Sequence, residues 1–186
     1  EMWPYEYSRQ QFTPLLWWSE GVTEYYSGVS LARSGLYSLD GFVSDVNGKI
    51  HEVEDVGEIV SAEDASLDTW ISPTFVDEAQ YYYPKGALLG LMLDIQIREA
   101  TSNRHSLDDV MRALYAKYYQ QKKRGFTDDE FRQECEAAAG GRLTDVLEYA
   151  STTRDVDYAR YFAYAGLDVE TASEDAPGSY LGLNMQ

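Results

Sequence analysis

Glu20 lies in the run Leu16-Trp17-Trp18-Ser19-Glu20-Gly21-Val22-Thr23-Glu24-Tyr25-Tyr26, an acid among large apolar neighbours at helical spacing. A carboxylate in such surroundings is costly unless a cation, a metal or a hydrogen-bond donor meets it. Glu24 follows one turn later on the same face. Two acids a turn apart repel mildly, and nothing in their spacing says what offsets that. The pair either lines a site or forms the solvated edge of an amphipathic helix. A second cluster, Gln80-Tyr81-Tyr82-Tyr83-Pro84-Lys85-Gly86, opens the most apolar stretch of the chain. A phenol at the mouth of a helix can donate to a developing oxyanion. Pro84 suits a first helical position, which sets Tyr83 at the N-terminal rim; taken alone, three tyrosines are more often packing and interface residues. His51 and His105 fall in separate loop-like stretches, neither with a partner four residues on, so they make no zinc-binding helix pair and read as surface residues. The glycines match no phosphate loop, and no serine sits in a nucleophile elbow.

These groups must be positioned by helices. Thr13-Pro14 provides a hydroxyl cap and a first-turn proline. Leu15, Leu16, Trp18, Val22, Tyr25, Tyr26, Val29 and Ala32 then recur at three- and four-residue steps until Ser34-Gly35. Ser38 can cap a second, weaker helix through Val46, interrupted by Gly41 and Gly48, and residues 49–60 read as irregular. A short helix follows Ser61 and ends near Trp70, and Ser72-Pro73-Thr74 marks a loop. The apolar helix is expected over Tyr82–Ala100. Ser106 caps the next, Thr127-Asp128-Asp129-Glu130 is a capping box, and two short helices follow near Thr144–Ala150 and Asp157–Ala165. The fold class is mainly α, an irregular bundle of about seven helices.

Composition narrows the function. With 15 Lys and Arg against 32 Asp and Glu, the net charge is −17. That field repels phosphate backbones and anionic bilayers, so nucleic acid and membrane surfaces are poor partners. At 44% hydrophobic and 14% aromatic residues the chain has ample material for a core. One cysteine, Cys135, excludes a disulfide framework and a cysteine zinc cage. No window is long and apolar enough to span a bilayer. The opening Glu1-Met2-Trp3-Pro4 carries no signal-peptide pattern and reads as a segment cut from a longer polypeptide, soluble and of unassigned compartment.

Taken together and in order, the two clusters resemble the glycyl aminopeptidase family of gluzincin metallopeptidases, in the thermolysin-like clan. The resemblance rests on Leu16–Tyr26, on Ala65-Ser66-Leu67-Asp68-Thr69-Trp70 and on Tyr82-Tyr83-Pro84-Lys85-Gly86-Ala87-Leu88. Ser106–Leu114 and Tyr164-Ala165-Gly166-Leu167 extend it over nearly the whole chain. It implies the C-terminal helical half of a catalytic domain over residues 1–167. Residues 168–186 become a linker into a PDZ-like domain whose entry resembles Tyr180-Leu181-Gly182-Leu183.

In such enzymes an H-E-x-x-H helix gives two histidine ligands and the general base, and a glutamate on the next helix is the third zinc ligand. By motif position Glu20 matches that ligand, Glu24 the acid that orients a ligating histidine, and Tyr83 the oxyanion donor. Lys85 and Gly86 complete the motif with structural roles, a helix-start charge held off the apolar face and close helix packing. The chain has no H-E-x-x-H, which the family carries just before the equivalent of residue 1; Pro4-Tyr5-Glu6-Tyr7-Ser8 resembles the stretch after it. The implied activity is therefore that of a parent enzyme: a zinc aminopeptidase acting on peptides with N-terminal Gly or Ala, its partners the preceding catalytic half and the PDZ-like domain. This chain alone is expected to bind no zinc and to be inactive. Two rival readings are a glycan-binding module using Trp17 and Trp18, and an acidic domain that binds a basic protein.

Overall fold

Leu88, Leu89, Met92, Leu93 and Ile97 put apolar side chains on more than one side of a single helix, and such a helix has to be surrounded. The computed structural model describes residues 3–55, 60–69 and 75–168. Among the described residues the chain forms eight α-helices, two π-helical stretches and no strand. A π-helical stretch at Trp17–Gly21 leads into α1 (Val22–Arg33), followed by α2 (Leu39–Glu54), α3 (Ala62–Asp68) and α4 (Phe75–Ala100). Then come α5 (Leu107–Leu114), a π-helical stretch at Tyr115–Lys122, α6 (Asp128–Ala139), α7 (Thr144–Ser151) and α8 (Tyr158–Tyr164). Helix α4 runs through the middle and touches every other α-helix and the first π stretch. The expected irregular helical bundle is what forms.

Local chemistry sets most boundaries. Ser38 Oγ accepts the Gly41 N–H, Ser61 Oγ the Asp64 N–H, and Thr127 with Glu130 closes a full capping box. Gly140 ends α6 in the left-handed conformation at φ 69°. Two boundaries depart from the sequence reading. Helix α2 continues to Glu54 instead of ending at Val46, because Ile50 and Val53 extend the apolar stripe of Phe42 and Val46 and are buried. Helix α4 begins at Phe75, so Pro84 sits inside it and not at its first position. Its missing N–H costs one hydrogen bond within the helix, and packing on all sides carries the helix through. The Ser72–Thr74 loop and the linker and PDZ-like entry at 169–186 lie outside the described residues.

Asp94, the charge that interrupts the apolar run, is buried in α4 and fully engaged. One carboxylate oxygen accepts the Leu107 N–H at 2.7 Å. The other accepts Tyr25 Oη at 2.8 Å and Arg98 Nε at 2.8 Å. A buried acid so paired fastens α1, α4 and the start of α5 to one another. Its charge, added to burial, raises the Tyr25 phenol far above its usual range.

The first π stretch crosses α4 in close contact, glycine against glycine. A Cβ built on Gly21 would stand 2.5 Å from Gly86 Cα and 2.7 Å from the Tyr82 carbonyl oxygen. One built on Gly86 would run into the Trp17 carbonyl and lie 2.9 Å from Gly21 Cα. Only hydrogen fits on either side, and both backbones are too well packed to retreat. Gly48, by contrast, is exposed in α2 with nothing within 4 Å of its would-be Cβ. Gly86→Ala should lower the unfolding free energy by about 1–3 kcal/mol. Gly48→Ala should raise it by up to about 1 kcal/mol. Urea unfolding of both variants checks this, and equal behaviour of the two would contradict the crossing.

Candidate active site

Glu20 owes its position to the geometry around Gly21. The π stretch that carries it starts under Ser66 of α3, whose Oγ accepts the Trp17 N–H at 3.0 Å while donating to the Ala62 carbonyl at 2.6 Å. Thr23 Oγ donates to the Ser19 carbonyl at 2.6 Å, tying the widened turn to α1. Such single π turns recur at functional sites because the extra residue re-aims side chains. Behind the turn, Trp17 and Trp18 pack on Phe131 of α6, with ring centroids 5.8 and 4.2 Å away. Glu20 is half-buried at the edge of this aromatic layer.

Opposite it, across the glycine crossing, α4 presents Tyr83. Tyr83 Oη donates to Glu20 Oε2 at 3.4 Å, and its ring stacks on that of Tyr82 with centroids 4.8 Å apart. Burial, then the neighbouring Tyr82 and the Glu20 charge, push the Tyr83 phenol up to about 12. At neutral pH it is therefore a proton donor and not a phenolate. The structure thus brings two of the three site residues named from the sequence into contact. It corrects the route by which they meet: Tyr83 lies more than two turns inside α4, not at a helix mouth, and it faces Glu20 beside the crossing.

Glu24, one turn beyond Glu20, is exposed and pairs through Oε2 with Lys49 of α2 at 3.4 Å. Lys85 also differs from its expected role as a helix-start charge. It is interior to α4 and only 4% exposed, its Nζ 5.8 Å from the Tyr81 ring centroid. Burial pulls its ammonium downward, and Glu54 and Asp155 pull it partly back. Gly86 does have the expected role in close packing. Trp17 and Trp18 are 1% and 6% exposed, so neither has a face to offer a sugar. His105 is an exposed partner of Asp109, and among the described residues no three His, Cys, Asp or Glu side chains converge on a point that could hold a metal.

Glu20 also forms one wall of a cleft of about 600 Å³ whose other wall is the lead-in from Tyr5 to Gln11. The lead-in has no helical period, so its contribution to the site was invisible to periodicity. The only trace in the sequence is an acid two residues ahead of a serine, Glu6 and Ser8.

The fold is an all-α bundle in which Glu20 lines a cleft and meets Tyr83. Over 95% of its length this chain superposes, with a TM-score of 0.80 and 22% identity, on the crystal structure of an aminopeptidase N family protein from Idiomarina loihiensis. It spans 31% of that protein, and the likeness establishes the fold. Residues 1–89 match the family model of the M61 glycyl aminopeptidases. Both site clusters fall inside it. No curated protein matches the chain.

Replacing Glu20 by Gln removes the charge that opposes ionisation of Tyr83. In Glu20→Gln the Tyr83 phenol should therefore ionise at lower pH than in the wild type, while Tyr25, held by Asp94, should not move. Titration of ¹³Cζ-labelled tyrosines by NMR reads both; an unchanged Tyr83 would contradict the contact.

Proposed function

We propose that this chain is the helical part of a zinc aminopeptidase that removes N-terminal Gly or Ala from peptides. The observation that carries the reading is the Tyr83–Glu20 contact at the cleft wall, held by the Gly21–Gly86 crossing. Among this chain's residues Glu20 would hold the metal and Glu24 would orient a ligating histidine supplied from outside the described residues. Zinc, when bound, supplies Lewis acidity and an activated water for attack on the scissile carbonyl. The donor set here is incomplete: one carboxylate ligand does not make a catalytic zinc site, which uses three protein ligands.

What the chain's own side chains can do is narrower. Tyr83, protonated at working pH, donates a hydrogen bond to a carbonyl oxygen as negative charge grows on it. The contact of Tyr83 Oη with Glu20 Oε2, a residue of the cleft wall, supports that role. Trp17 and Trp18, buried and packed on Phe131, give the turn that carries Glu20 an apolar backing, and low-dielectric surroundings strengthen polar interactions. The PDZ-like domain and the preceding catalytic half are part of the same proposal as partners of this unit.

Removing an oxyanion donor of this type lowers turnover by about 10²–10³. Tyr83→Phe in the full-length protein should show that loss with its zinc content unchanged, and near-normal turnover would take Tyr83 out of the mechanism. The isolated chain should hydrolyse no glycyl or alanyl peptide and show no tight zinc binding. Isothermal calorimetry that found one stoichiometric, submicromolar site would overturn that.

A further inference from the structure

Helices α2, α4 and α8 leave a cavity of about 250 Å³ between them. Its walls include Phe42, Val43 and Val46 from α2, Leu91 and Ile95 from α4, and Phe162 from α8. All of these except Phe162 are only half-buried. Leu39, which lines the same cavity, is 73% exposed. The bundle therefore keeps an apolar concavity open to solvent, which is a feature of binding sites. It shares no residue with the cleft beside Glu20.

The few polar groups that reach this cavity, Asn47, Asp94 and Arg98, decide what it can hold. Asp94 has both carboxylate oxygens committed to Leu107, Tyr25 and Arg98. Arg98 is different. Its Nε donates to Asp94 Oδ2 at 2.8 Å, which fixes the guanidinium, and its two terminal nitrogens donate to no described residue. The side chain is 35% exposed, so those donors can be reached from solvent.

A peptide strand or a sugar needs donors and acceptors along its whole length, and walls of Phe, Val, Leu and Ile supply none. A positively charged head would meet the guanidinium and be repelled. An acidic head needs one fixed cation, and an aliphatic chain needs only apolar walls. The small volume suits one slender chain of that kind.

We propose that the cavity between α2, α4 and α8 binds the aliphatic chain of a fatty acid, with its carboxylate held by Arg98. The inference goes beyond the aminopeptidase reading and does not depend on it. Because Arg98 also holds Asp94, which fastens α1, α4 and α5, an occupied cavity adds to the join at the centre of the bundle. A ligand that binds only the folded chain stabilises it.

The test titrates this chain, ¹³C-labelled at its Val, Leu and Ile methyls, with sodium decanoate, decanol and decyltrimethylammonium, each below its micelle-forming concentration. Decanoate should shift the methyls of Val43, Val46, Leu91 and Ile95 and bind about tenfold or more tightly than the other two, the margin of a charge-assisted hydrogen bond. Arg98→Gln keeps a side-chain amide for Asp94 and should bring decanoate down to the affinity of decanol. Should that variant fail to fold by circular dichroism, Val43→Trp carries the test. It fills the cavity from a half-buried wall position, leaves Arg98 in place and should abolish the shifts from decanoate and decanol alike. Equal affinity for the three probes, shifts confined to methyls elsewhere, or wild-type decanoate binding by either folded variant would overturn the proposal. Shifts of the cavity methyls that grow with protein concentration in the absence of any probe would mean that a second copy covers this face, and would overturn it as well.

Discussion

Two glycines in backbone contact carry this molecule. Helices normally keep side-chain widths between their axes, but at Gly21 and Gly86 neither helix has a side chain to interpose, and the Trp17 carbonyl rests where a Cβ would be. That closeness fixes which residues face one another. Glu20 precedes Gly21 and Tyr83 lies almost one turn before Gly86, so pinning the glycines leaves acid and phenol within hydrogen-bond reach. Wider spacing would leave Glu20 half-buried with no donor, a costly arrangement. The site is a consequence of packing, and the packing is a consequence of missing side chains.

Around this crossing the rest of the bundle acts as a frame. Ser66 caps the widened turn from α3, and Asp94 binds α1, α4 and α5 through Tyr25, Arg98 and the Leu107 N–H. Both are buried polar groups with every partner in place, which is what confers a unique register on helices that could otherwise slide. Glu20 and Glu6 then face one cleft from two differently built walls, one a rigid helix, the other a hydrogen-bonded knot of extended chain.

The sequence was most legible where the physics is local. Caps at Ser38, Ser61 and Thr127 and the stop at Gly140 follow from one side chain or one φ angle, and they stand where the residues place them. It was less legible where tertiary packing overrides a local rule. Pro84 signals a helix start, yet α4 begins nine residues earlier because burial on all sides outweighs one lost hydrogen bond. The π widening at Trp17–Gly21 has no one-residue signature, and Lys85 gave no hint that it would be buried. The family resemblance drawn from Glu20 and Tyr83 holds over the first 89 residues, where the family match lies.

The account stands or falls on whether the acid and the phenol serve one bound peptide. A crystal structure of the full-length protein with zinc and a phosphinic pseudopeptide bearing a free glycyl amine addresses this directly. The predicted density has a Glu20 carboxylate oxygen on the metal and Tyr83 Oη within hydrogen-bond distance of the phosphinate oxygen. A metal bound without Glu20, or an inhibitor whose phosphinate lies out of reach of Tyr83, would contradict it.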